Sequence, residues 1–243
     1  MNYSFLQCGE GALTVHLGDG IDPTINRRVT ALQGAIGSAG LRGITDLIPA
    51  YADLTVCYDC TVISAKALQR QLRRLLDSLS VAGQDRRQVF RLPVCYGGDY
   101  GPDLDFVCHH SGLSAQEVIA LHSAPDYLIY MLGFLPGFAY LGGLDPRLHT
   151  PRLDSPRTCI PAGSVGIGGA QTGVYPLASP GGWQLLGRTP VSVFDRQRQE
   201  PILYRAGDLV HFVPISPAEY EEIARAVAAG TYTVQVEEVP VCD

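Results

Sequence analysis

Apolar positions in the first ninety residues switch between a period of two and a period near 3.6. Tyr3–Cys8 and Ala12–Leu17 are short apolar runs either side of Gly9-Glu10-Gly11, which reads as two strands and a turn. Asp22-Pro23 then supplies an N-cap and a first-turn proline, and Ile25, Val29, Leu32 and Ile36 follow at helical spacing until Gly40. Ile44–Tyr51 and Leu54–Tyr58 read as a strand pair. Ser64 caps a second helix whose stripe is Leu68, Leu72, Leu75, Leu76 and Leu79, with Arg70, Arg73 and Arg74 on its solvated face. Val89–Tyr96 is again strand-like. The order β-α-β-β-α-β predicts a ferredoxin-like α/β sandwich.

After residue 89 the pattern changes. Pro102–His110 is a short helical stretch, and Ser114 with Glu117 forms a capping box that opens a helix to about Ser123. Val191–Phe194, Ile202–Tyr204 and Asp208–Val213 read as strands. Ser216 with Glu219 opens a helix to about Ala229, and Thr231–Val239 alternates as a last strand. Short strands among many turns predict a small β-barrel-like domain. The chain is thus expected to be α+β, with a boundary near Gly83–Pro93, giving domains 1–88 and 89–243.

Within the second half lies Met131–Pro190, which carries 12 of the 27 glycines and eight of the 17 prolines but only six charged residues. Such a composition can signal disorder. Phe134, Phe138, Tyr140, Tyr175 and Trp183 argue instead for a folded, turn-dense region where glycine lets backbone approach backbone or ligand. The functional site is expected here.

Composition narrows the classes. A net charge of −6 over 243 residues leaves no basic face for nucleic acid. No apolar run reaches the ~18–20 residues of a membrane span, and no signal peptide is evident, so a cytoplasmic location is expected. The seven cysteines are odd in number and scattered, which argues against a disulfide framework. Cys57 and Cys60 form a CxxC in a strand-like run with no second pair, so no metal site is expected.

Several residues in the block invite chemistry. Gly166-Ile-Gly168-Gly169 lacks the Gly-Lys-Ser/Thr of a Walker loop and the βαβ setting of a dinucleotide fingerprint; Gly168 and Gly169 remain able to bind an anion through backbone amides. Gln171 and Tyr175 flank a glycine and offer donors and acceptors to a ligand with carbonyl groups, or satisfy the core. Arg188 and Arg157 could each hold a carboxylate or phosphate, or an internal ion pair. Ser164 lacks the order of an elbow nucleophile. His109 and His110 have no carboxylate or histidine at a metal-binding spacing and read as a solvated helix end, while His149, among glycines and prolines, could act in acid–base chemistry or be structural. The set is incomplete, which suggests a site shared with another polypeptide.

GFLPGFAYLGGLDPRLHTPR, IPAGSVGIGGAQTGVYPLASPGGWQLLGRTP, INRRVTAL and ITDLIPAY closely resemble the 5-oxoprolinase B-subunit family, which includes KipI and allophanate hydrolase subunit 1, and the matching part of urea carboxylase. The resemblance covers about residues 3 to 215. It implies an N-terminal α+β domain and a C-terminal cyclophilin-like β-barrel. It also implies a complex with subunits C and A, homologues of KipA and of the LamB/YcsF family, that opens 5-oxoproline to L-glutamate using ATP with Mg2+. Within that reading Gln171, Tyr175 and Arg188 are the catalytic candidates, and Arg157, Ser164, Gly168 and Gly169 the substrate or phosphate contacts. Two other activities are compatible with the resemblance: inhibition of a sensor histidine kinase, as for KipI, and part of a biotin-dependent urea carboxylase or allophanate hydrolase. A chain made to dock should leave apolar surface uncovered, with Phe134, Leu135, Phe138 and Trp183 expected there.

Overall fold

The computed structural model describes residues 3–79 and 86–240. Gly83, where the expected boundary region begins, and Cys242 lie outside the described residues. The chain divides into two compact units, Met1–Gln84 and Asp85–Asp243.

In the first unit, β1 (Ser4–Cys8) and β2 (Ala12–His16) form a hairpin. Helix α1 (Pro23–Ala39) starts where Asp22 accepts from the amides of Thr24 at 2.7 Å and Ile25 at 3.0 Å, and stops at Gly40 in the left-handed region. After β3 (Ile44–Pro49) and β4 (Asp53–Tyr58), α2 (Ala65–Asp77) is capped by Ser64. The sheet order is β1-β2-β4-β3, all antiparallel. Val29, Leu32 and Ile36 of α1 and Leu68, Leu72 and Leu76 of α2 join Leu13, Val15, Leu54 and Val56 of the sheet in one core. Burying each such side chain stabilises by roughly 1.5–3 kcal/mol.

This is the anticipated ferredoxin-like sandwich with one change. The edge beside β2 is filled by β1, and Val89–Tyr96 belongs to the other unit. The hairpin partner is local and closes across a three-residue turn. The later strand is buried over most of its length, a pattern suited to neighbours on both faces rather than to a sheet edge.

The second unit begins with that strand, β5 (Arg86–Tyr96). Then come α3 (Leu104–Ser111), α4 (Ala115–Ser123), β6 (Asp126–Leu132), β7 (Ala139–Gly142) and a 3-10 turn at Pro146–Leu148. The Gly/Pro block continues with β8 (Arg157–Ile160), β9 (Ser164–Gly168), β10 (Gln171–Val174), β11 (Ser179–Gly181) and β12 (Gln184–Arg188). It is followed by β13 (Leu209–Ile215), α5 (Pro217–Ala228) and β14 (Gln235–Pro240). Seven strands close a barrel in the order β12-β9-β10-β7-β6-β13-β5, with β12 returning to β5 through Gly187↔Tyr96 and Arg188↔Cys95. β14 extends the first half of β5, and β8 pairs with β11 as a separate ribbon. The expected strands 191–194 and 202–204 reduce to one bridge, Phe194↔Ile202. Pro190 and Pro201 remove amide donors beside these segments, so a longer ladder cannot form there.

Leu92, Ile129, Leu141, Val165, Ile167 and Leu186 fill the barrel. One polar chain crosses this core. His122 of α4 is fully buried, with Nε2 2.7 Å from Thr172 Oγ1 and Nδ1 2.8 Å from the Tyr96 hydroxyl. Thr172 spends its single hydroxyl proton on the Gly166 carbonyl at 3.1 Å, so His122 Nε2 carries the ring proton and Tyr96 donates to Nδ1. Burial holds the imidazole neutral, with its pKa lowered to about 3.

Candidate functional site

The connection from β6 to β7 is Gly133-Phe134-Leu135-Pro136-Gly137. It is tightened by Leu135 N donating to the Gly133 carbonyl at 2.7 Å and Phe138 N to the Leu135 carbonyl at 3.0 Å. The buried Tyr204 hydroxyl donates to the Gly137 carbonyl at 2.9 Å and pins the loop from below. Phe134 sits at its tip with φ 65°, the one non-glycine in the left-handed region among the described residues, and is 64% exposed. A bulky residue in that region is strained, by roughly 1–3 kcal/mol.

Beneath Phe134 lies an aromatic cluster. Phe138 meets Tyr175 and Trp183 edge to face, each at 5.5 Å between centroids, and Tyr175 meets Trp183 at 5.9 Å. Phe134 and Tyr140 extend it from Phe138 at 5.6 and 5.2 Å. Such pairs add roughly 0.5–1.5 kcal/mol each beyond burial. Two glycines make room for the rings. A Cβ at Gly168 would overlap the Trp183 indole, and one at Gly181 would stand 2.6 Å from the Tyr175 hydroxyl oxygen.

These aromatic residues, with Arg152, Pro156, Pro180, Gly181 and Gly182, enclose a hollow of ≈ 300 Å³. Arg152 is the one charged residue on its wall. Its guanidinium carbon lies 6.0 Å from the Trp183 ring centroid, within cation–π range, and it has no carboxylate partner among the described residues. Burial pushes the Tyr175 phenol pKa up; the positive charge of Arg152 is the next influence and opposes it.

A second, smaller hollow of ≈ 180 Å³ runs along Ala162–Gly163, Pro176 and Arg188–Val193, against Tyr220 and Ala224 of α5. Arg188 donates from Nε to the Ala162 carbonyl at 2.9 Å. Burial raises the Tyr220 phenol, with the Arg188 charge opposing.

The seven residues singled out from the sequence do not form one site. Tyr175 is common to both hollows, and Arg188 lines the smaller one. Gln171 is paired with Gly168 at the far end of the β9–β10 hairpin, about 13 Å along the strand from the Tyr175 end. The Gly169 amide is spent on the Thr150 carbonyl at 2.8 Å, and Gly168 is covered by Trp183. Arg157 is likewise committed: Nη2 donates to Asp103 Oδ1 at 2.7 Å and Nη1 to the Trp183 carbonyl at 3.3 Å, while Asp103 Oδ2 takes the Leu185 amide at 2.6 Å. Ser164 is buried inside β9. Of the expected exposed apolar residues, Phe134 is exposed, Leu135 half-buried, and Phe138 and Trp183 buried. Arg152 was not anticipated. It ends the run GFLPGFAYLGGLDPRLHTPR, where nothing in the spacing marks it for chemistry, and its place over an aromatic ring is set by the fold.

Residues 3–204 match the family model described as carboxyltransferase domain, subdomain C and D. The chain is 41% identical over 230 residues to the B subunit of 5-oxoprolinase from Bacillus subtilis (strain 168), covering 90% of this chain and 96% of that protein. The crystal structure of TTHA0988 matches with a TM-score of 0.74 and 40% identity over 84% of this chain, which spans 40% of that longer chain. The Kluyveromyces lactis urea carboxylase matches with a TM-score of 0.83 over 98% of this chain and 24% of that one, at 23% identity, a likeness of fold.

Proposed function

This chain belongs to the 5-oxoprolinase B-subunit family, and from that premise we propose that it serves as one component of a complex that opens 5-oxoproline to L-glutamate with hydrolysis of ATP. The observation that carries this reading is similarity to a whole relative: 41% identity with alignment to 96% of the Bacillus subtilis protein. That relative is named as one subunit of an enzyme, which implies an assembly of several chains. Subunits C and A are the proposed partners.

The chemistry accords with a shared site. A lactam carbonyl is resonance-stabilised and its five-membered ring nearly strainless, so its opening needs activation. ATP supplies this by making the amide oxygen a leaving group, and such a step depends mainly on positioning and charge neutralisation. The ≈ 300 Å³ hollow has aromatic, proline, glycine and arginine walls, with no serine, cysteine, histidine or carboxylate to act as nucleophile or base. It suits binding and orientation. The glycine hairpin does not fit a phosphate cradle, because the Gly169 amide is occupied by Thr150. The ATP phosphates with Mg2+ and the acid–base groups are therefore assigned to partner chains. Arg188, beside the smaller hollow, is left as a second guanidinium for an anionic group.

The test is reconstitution. Purified chain mixed with subunits A and C, 5-oxoproline and ATP is expected to yield glutamate, with omission of any component abolishing it. No glutamate from the complete mixture, or equal turnover by this chain alone, refutes the assignment.

A further inference from the structure

We propose that the hollow beneath Phe134 is a binding site for a small, flat, five-membered-ring carboxylate, with Arg152 taking the carboxylate and the Tyr175–Trp183 wall taking the ring. The inference rests on the 5-oxoprolinase reading for the identity of the ligand and on this chain's own residues for its place.

Four observations converge. First, size: at ≈ 300 Å³ the hollow is at the small end for organic ligands and has room for a five-membered ring with its carboxylate. Second, shape: Phe134, Phe138, Tyr140, Tyr175 and Trp183 present rings whose edge-to-face packing fixes their positions before any ligand arrives, so little ordering is required on binding. Third, charge: Arg152 is the only ionic group on the wall, and its guanidinium is held over Trp183 without a carboxylate partner among the described residues. Its planar fork matches a carboxylate bidentately, and it is already placed at the rim of an apolar chamber. Fourth, strain: the φ of 65° at Phe134 is maintained by two loop hydrogen bonds and the Tyr204 anchor, and it holds an aromatic ring outward at the lip. Backbone strain at the mouth of a preformed hollow is characteristic of a binding site.

The remaining guanidiniums of the block are accounted for differently. Arg157 is neutralised by Asp103, Arg147 pairs with Asp145 at 2.7 Å, and Arg188 lines the other hollow. An anion entering the aromatic chamber therefore meets Arg152.

Trp183 is the only tryptophan of the chain, so its emission reports this chamber directly. Titrating the full chain with 5-oxoproline is expected to give a saturable change in fluorescence. The ring without its carboxylate, 2-pyrrolidinone, is expected to give none at the same concentrations. Arg152 is exposed, so Arg152→Ala should fold normally, as circular dichroism can check, and should weaken binding at least about tenfold, the loss of one charge-assisted pair. Arg152→Lys should recover part of it, having charge without the fork. No saturable change in the natural chain, or the same midpoint in Arg152→Ala, overturns the site. Turnover of the reconstituted complex is a separate readout. Binding without turnover would refute the functional reading and leave the site standing; turnover without Trp183-reported binding would do the reverse.

Discussion

His122 carries a consequence that can be measured without any ligand. Its folded-state pKa of about 3 lies below the 6.5 of an unperturbed imidazole because the ring is sealed between Thr172, Tyr96 and the barrel core. Below pH 6.5 the unfolded chain takes up a proton that the folded chain refuses until about pH 3. Stability contributed by the neutral ring is therefore fully present above pH 6.5 and falls as pH drops through that window, by up to about 1.4 kcal/mol per pH unit. Carboxylates such as Asp145, whose pKa is lowered to about 2 chiefly by its hydrogen bonds with Arg147, lose their contribution only at more acid pH. Urea unfolding between pH 7 and 5 should thus show a slope that His122→Gln flattens, even though that variant starts less stable. An unchanged slope would mean that another group governs the acid response.

At the scale of elements, the starts of four of the five described α-helices were readable because a cap is local: Asp22-Pro23, Ser64, Ser114 with Glu117 and Ser216 with Glu219 all cap as their spacing indicates, whereas α3 begins after Asp103 with no side-chain cap. Strands β7 to β12 were not, since glycine-rich strands carry no alternating side chains and their partners are set by barrel closure. Val89–Tyr96 reads as the sixth strand of the first pattern, although the boundary expected at residue 89 assigns it to the second unit, where β5 lies. The site divided in the same way. Tyr175 and Trp183 stand out as aromatics among glycines, whereas Arg152, at the end of a run read only for its resemblance, has no spacing that ties it to them, and Gln171 looks closer to Tyr175 than the hairpin leaves it. Packing under the aromatic wall gives a direct check. Gly168→Ala forces a methyl into the indole of Trp183, and overpacking of this kind costs roughly 1–3 kcal/mol. Denaturant unfolding should register the loss, with a shifted Trp183 emission maximum in the folded state. Full stability with native emission would show that the indole has room to move.

At the scale of the whole molecule, the aromatic chamber is lined by rings, prolines, glycines and Arg152 alone, and under the proposed function the chemistry it lacks comes from a partner chain. Phe134 stands at that mouth, exposed and strained, and a residue kept strained in the free protein must be favoured by something gained elsewhere. Replacing it with glycine separates the two effects. Phe134→Gly removes a left-handed penalty of roughly 1–3 kcal/mol and gives up the edge-to-face contact with Phe138, roughly 0.5–1.5 kcal/mol, so the melting temperature of the isolated chain should hold or rise slightly. The same variant removes the lip ring, so assembly with subunits A and C, read by size-exclusion chromatography, should weaken or ATP-dependent turnover fall. Amides 133–138 of the natural chain should also gain protection from hydrogen exchange when the partners are added. A Phe134→Gly chain that assembles and turns over normally, with unaltered exchange across that loop, would mean that the partners act at another surface and that the strain at Phe134 belongs to the barrel alone.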